Sequence, residues 1–113
     1  MNQLYNVTDI YRINPLEAAS AIISMATIKE IRQLEDVSIH GYTILDRWAM
    51  YQPKALLDLE ADGELVLFHH LLKQQDKELA VLDNADYANN EKHLTTAERL
   101  VLHEIDTKLV RDF

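Results

Sequence analysis

The densest run of chemically competent side chains is the segment DLEADGELVLFHH, Asp58 to His70. A helix-loop-helix calcium loop takes oxygen ligands at alternating positions, glycine at the sixth, an aliphatic residue at the eighth and a bidentate glutamate at the twelfth. Counted from Asp58, the segment offers Asp58, Glu60 and Asp62 as alternating ligands, then Gly63, Glu64 and Leu65 in register. The twelfth position is His69. One imidazole nitrogen does not replace two carboxylate oxygens around a hard cation. The same residues make sense as an acidic bend between two helices: Gly63 supplies a left-handed backbone conformation and Glu64 favours the first turn of the helix that follows. Asp58, Glu60, Asp62 and Glu64 are on this reading the expected contact surface for a basic protein partner.

Other chemistry is sparse. His69 and His70 are adjacent, which on a helix turns them about 100° apart, and no histidine pair has the spacing of three or four that chelation requires. No Glu-x-x-His pair of the kind found in carboxylate bundles is present, so no metal centre and no cofactor are expected. The chain has no cysteine, which excludes disulfides, thiolate zinc sites and thiol nucleophiles. Ser20, Ser24 and Ser38 sit in no glycine-bearing elbow, and glycines only at 41 and 63 leave no phosphate-cradling loop. Arg99 and His103, in RLVLH, resemble the arginine and histidine of HEPN-type helical ribonucleases, whose motif sets the two further apart. That resemblance implies a small ribonuclease-like enzyme using Arg99 and His103. The plainer reading is a surface ion-pair network beside Asp106.

Nineteen acidic residues against eleven basic ones give a formal charge of −8. That charge repels phosphate backbones and anionic membranes, so direct nucleic-acid binding is not expected. It fits a basic protein partner or plain solubility. A nucleic-acid mimic would need carboxylates at phosphate-like spacing, but lysines and arginines are interspersed along most of the chain. The opening MNQLYNVTDIYRINP has no basic segment followed by an apolar run, and no stretch approaches the roughly 18 apolar residues of a membrane span, so a cytoplasmic protein is expected.

The elements that must carry these residues read as helices. Two glycines and two prolines in 113 residues are too few for a meander of short strands. Val7, Ile10, Tyr11 and Ile13 fit a short helix capped by Thr8, with a partly extended segment as the alternative. The second runs from Pro15 to Leu34 with Asn14 as N-cap and Glu17 as capping-box acid. Its first half is apolar around most of the axis, which implies central packing or an oligomer or partner surface. Ser38 to Tyr51 forms a third helix, with Tyr42, Leu45, Trp48, Ala49 and Gln52 on one stripe and Trp48 in the core. The segment 37–45 also contains strand-prone residue types. PKALLDLE follows, with Leu56, Leu57 and Leu59 inward. ELVLFHHLLKQQDKELAVL is a long helix with Leu67, Phe68, Leu71, Leu72, Leu79 and Leu82 on one face and His70, Lys73, Gln74 and Lys77 on the other. DNADYANNEKH reads as the main loop. A capping box of Thr95 and Glu98 then opens a last helix reaching the terminus, with a stripe of Val101, Leu102, Ile105, Leu109 and Phe113 to dock on a core or a partner.

These features predict an all-α protein, an irregular bundle of about five helices in a single domain spanning 1–113. Small size, surplus apolar helix surface and missing catalytic motifs together favour a small acidic protein-protein interaction module: an inhibitor, adaptor or assembly factor of a larger complex, with self-association into a homo-oligomer as a second way of covering apolar surface. A phage or mobile-element inhibitor of a bacterial defence system has these properties.

Overall fold

A computed structural model of the protein describes residues 14–109. Among them there are seven helices and no strand: α1 (Glu17–Ser20), α2 (Met25–Gln33), α3 (Ile39–Tyr51), α4 (Pro53–Ala61), α5 (Glu64–Leu82), α6 (Ala85–Asn90) and α7 (Thr96–Leu102). Five of these are seven residues or longer, as an irregular all-α bundle requires. The expected helix over 7–13 lies outside the described residues, as does Phe113.

Helix α3 sits at the centre and packs on α1, α4 and α5. Its Ile44, Leu45, Trp48 and Ala49 are buried against Leu16, Ala19, Ile28 and Ile31 from the N-terminal side, Leu56 and Leu59 of α4, and Leu67 and Leu71 of α5. The strand-prone 37–45 segment is therefore helical from Ile39. Its β-branched residues give up local preference for burial of a stripe at helical spacing, and Trp48 lies in the core as the sequence implies. Gly41 lets α3 approach α5 closely. A methyl group there would collide with the side-chain oxygen of Gln75 and lie 2.7 Å from Val37 Cγ1. Gln75 has little freedom to yield, because its Oε1 accepts from the Ser38 amide at 3.0 Å and its Nε2 donates to the Asp36 carbonyl at 2.8 Å. Gly41→Ala is accordingly expected to destabilise the fold by about 1–3 kcal/mol from overpacking, although alanine outranks glycine in helix interiors by about 1 kcal/mol. Urea denaturation of the two proteins checks this; an unchanged or raised midpoint would show that Gln75 swings aside.

The expected single helix from Pro15 to Leu34 is broken in two. Asn14 does not cap it: Leu16 adopts a left-handed conformation (φ 67°), and the helix begins at Glu17. The Leu16 and Ala19 amides instead donate to the buried Asp46 carboxylate of α3, at 2.8 and 2.9 Å. After Ser20 the chain tightens into i→i−3 bonds, Ala21 to Ala18 and Ile22 to Ala19. Ser24 then turns extended and caps α2, its Oγ accepting from the Thr27 amide at 3.2 Å. Glu60 of α4 fixes that break by accepting from both the amide and the hydroxyl of Ser24 at 3.0 Å. The break explains a run that is apolar all round: Ala19 and Ile23 face the core before it, Ile28 and Ile31 after it.

Four further expectations are corrected. DNADYANNEKH is not simply a loop but holds α6, capped by Asn84, whose Oδ1 accepts from the Tyr87 amide at 3.0 Å. Leu57 points outward, 45% exposed, because the short α4 presents only Leu56 and Leu59 to the core. Gln74, assigned to the polar face of α5, is buried together with Gln75 and Glu78. The last helix starts at the expected capping box but ends at Leu102. There Glu104 enters the left-handed region (φ 58°), and the Glu104 and Ile105 amides bond back to Val101 and Leu100 in the pattern of a Schellman stop, without a glycine. The inward residue of α7 is Leu100, 1% exposed, while Val101 and Leu102 face out at 73% and 57%. Leu109 reaches the core on the non-helical segment that follows, where Gln52 pairs with both its amide (2.8 Å) and its carbonyl (3.0 Å).

Candidate functional site

The acidic bend joins α4 to α5 as expected. Asp62 caps the end of α4 and Glu64 lies in the first turn of α5, but Gly63 is not in the expected left-handed helical region: it takes a more extended positive-φ conformation open only to glycine (φ 126°, ψ 148°). Asp58 and Glu60 lie within α4, so the acids do not line one ligand shell. Asp58 is held by Lys54 one turn earlier, at 3.3 Å. Glu60 is committed to Ser24 and Thr27: burial pushes its carboxyl up, but the hydrogen bonds from those residues outweigh it and hold the group below its usual range. Asp62 and Glu64 are exposed. Among the described residues no group of three or more histidines, aspartates or glutamates is placed to hold a metal ion.

Arg99 and His103 do come together, on a residue the sequence did not single out. Glu91, in the turn after α6, accepts from Arg99 Nε at 3.0 Å and contacts His103 Nε2 at 2.7 Å. Arg99 also donates to the Val81 carbonyl of α5 at 3.2 Å, and the Tyr87 ring lies 4.0 Å from that of His103. Burial pushes the Glu91 carboxyl up, yet the His103 and Arg99 hydrogen bonds and charges prevail and hold it down. The pair thus braces α7 against α5 and α6. Asp106, the neighbour expected from the sequence, takes no part in this triad.

A second carboxylate centre is wholly interior. Glu78 of α5, 0% exposed, receives His40 Nε2 at 2.9 Å, both terminal nitrogens of Arg47 and Gln74 Nε2 at 2.7 Å. Burial raises its carboxyl, but hydrogen bonds from His40 and Arg47, the Arg47 charge and the Gln74 bond together bring it down to about 2. Apolar periodicity alone does not reveal this centre. Leu67, Leu71, Gln74, Glu78 and Val81 do follow one helical stripe, but its middle is polar. A signal existed for Asp46 too, which shares a stripe with Tyr42, Leu45 and Ala49 and so had to be buried with donors.

What these braces hold in place is the outer face of α7. Leu94, Ala97, Val101 and Leu102, with Glu98 at the edge, form a shallow apolar trough of about 400 Å³. Its backbone is secured at one end by the Thr95–Glu98 capping box and at the other by the stop at Glu104. The trough and the acidic bend sit toward opposite ends of α5, since the bend opens that helix and Arg99 ties α7 to Val81 near its close. No helix is long and apolar enough to cross a membrane among the described residues. No protein-family model matches the chain, and no curated protein or solved structure resembles it significantly.

Proposed function

We propose that this chain is a small acidic protein-interaction module that binds a larger protein through the α7 trough and acts as its inhibitor, adaptor or assembly factor. The observation that carries the reading is the exposure of Val101 and Leu102 side by side on a helix whose backbone is capped, stopped and braced. Isolated exposed apolar residues are ordinary, whereas a preorganised apolar trough lowers the ordering cost of binding. The partner that fits has an apolar ridge flanked by lysine or arginine, because Glu98 edges the trough, Glu104 follows it and the protein carries a charge of −8. Asp62 and Glu64, with Asp58 beside them, supply a second, electrostatic contact or steer the encounter, while Glu60 stays bound to Ser24.

Affinity capture with the tagged chain from the cells that express it, followed by titration of the purified partner, tests this reading. Val101→Glu with Leu102→Glu is expected to weaken binding by at least about thirtyfold, the loss typical of an apolar hot spot, with a melting temperature within about two degrees of the parent because both side chains are exposed. Charge reversal at Asp62 and Glu64 is expected to weaken binding at low salt and much less at high salt. Equal binding by the Val101/Leu102 variant would refute the trough as the contact. A dimer of this chain abolished by the same variant would assign the trough to a second copy instead.

A further inference from the structure

Three of the chain's six lysines gather round one cleft, in a protein whose overall charge is strongly negative. Lys73 and Lys77, one turn apart on α5, form one wall with His70 and Gln74; Trp48 of α3 and the segment carrying Asp106, Lys108 and Leu109 complete it. The enclosed volume is about 280 Å³. From sequence, His70, Lys73, Gln74 and Lys77 look like a solvated helix face. The face becomes half of a cleft because the chain after α7 folds back across α5, pinned by Gln74 Nε2 to the Asp106 carbonyl at 2.9 Å and by Gln52 to Leu109. Those same bonds carry Lys108 to the cleft.

We infer that this cleft binds a small phosphate-bearing molecule, with Lys77 and Lys108 supplying the charge. Neither Lys77 nor Lys108 makes an ion pair with the described residues. The single acid of the lining, Asp106, directs a carboxylate oxygen to the backbone amide of Lys108, at 2.9 Å. Holding the Lys77 and Lys108 ammonium groups at one concave surface costs Coulombic energy that a bound dianion reverses, and concave walls of low dielectric strengthen the attraction. Lysine serves phosphate as a point charge and needs no fork geometry. A volume at the lower end of ligand cavities, which begin near about 300 Å³, suits a phosphate group with a body of a few carbons and is small for a nucleotide. Trp48 packs its ring into the wall, with its Nε1–H buried and without an acceptor among the described residues.

Trp48 is the only tryptophan, so its fluorescence reports on the cleft. The full chain is titrated with inorganic phosphate and with glycerol phosphate, at ionic strength held constant with chloride. The expected result is a saturable change with a dissociation constant of about 0.1–5 mM. Lys77→Gln with Lys108→Gln is expected to weaken it by about tenfold or more. Lys29→Gln with Lys92→Gln, which removes the same charge from exposed positions outside the cleft, leaves it unchanged. Tighter binding of glycerol phosphate shows that the organic body enters the cleft, and equal binding assigns the site to the phosphate group alone; either supports the site. No saturable response at tens of millimolar, or equal weakening in both double variants, overturns it.

Discussion

Replacing Glu78 with alanine is expected to cost the fold about 3–5 kcal/mol, the usual penalty for leaving a buried cation without its partner. Arg47 is the cation concerned: both its terminal nitrogens bond Glu78, and its Nε is already buried without an acceptor among the described residues. His40 and Gln74 lose their acceptor in the same step. The ion pair itself need not be strongly stabilising, because both groups gave up hydration to form it. Arg47→Met with Glu78→Leu is therefore expected to recover most of the loss, and recovery distinguishes an orphaned charge from a simple cavity. The same centre makes stability depend on acid. With its folded carboxyl at about 2 against 4.5 when unfolded, Glu78 contributes stability that is fully present above pH 4.5 and lost as pH falls toward 2. The contribution is on the order of 3 kcal/mol. Glu60, Glu91 and Glu98 are shifted the same way, so the parent loses stability in acid from several sites. The difference between parent and Glu78→Gln isolates this one: denaturation curves of the two should converge as pH drops from 5 to 2. A constant gap across that range would contradict the assignment.

The second large effect is expected at Asp46. Asp46→Ala removes the acceptor of the Leu16 and Ala19 amides, and each buried unsatisfied donor costs about 1–3 kcal/mol, so a loss of about 2–5 kcal/mol is expected. The damage should start at α1, whose Leu16 and Ala19 are buried on α3, with the Leu16 and Ala19 amides losing hydrogen-exchange protection before the amides of α5. Asp46→Asn keeps one acceptor oxygen and should fall between. Its pH behaviour is opposite to that of Glu78. Burial raises the Asp46 carboxyl more than the Ala19, Leu16 and Ala18 amides lower it, and Glu17 raises it further. A raised acid favours the protonated folded form, so Asp46 does not add to acid lability. A loss below about 1 kcal/mol in Asp46→Ala would show that α1 finds other acceptors.

Both centres mark the limit of local reading. Thr95 and Glu98 form the capping box their spacing predicts because a cap involves residues three apart. Asn14, Pro15 and Glu17 carry an equally good local signal that fails, because Asp46, thirty residues away from Leu16, takes the amides instead. Ser24 was competent to cap α2 from the start, but a serine in an apolar run is locally ambiguous between helix interior and cap. Its use here is settled by Glu60. The acidic bend was legible as a bend because glycine chemistry is local. The role of Glu60 within it was not. Arg99 and His103 were legible as a pair one turn apart, whereas Glu91, which receives them, carried no mark of its own.

The sequence by itself determined the all-α class, the positions of α3, α4 and α5, the start of α7 and the acidic balance, since these follow from helix periodicity, caps and composition. Only the tertiary structure decided where the 15–34 run breaks, which face of α7 turns outward, and that His70, Lys73 and Lys77 face Lys108 across a cleft. Those outcomes depend on hydrogen bonds and ion pairs between residues tens of positions apart, for which the chain has no repeat or spacing. A helix knows its own period, but the burial of a given face is settled by the donors and acceptors other helices bring to it.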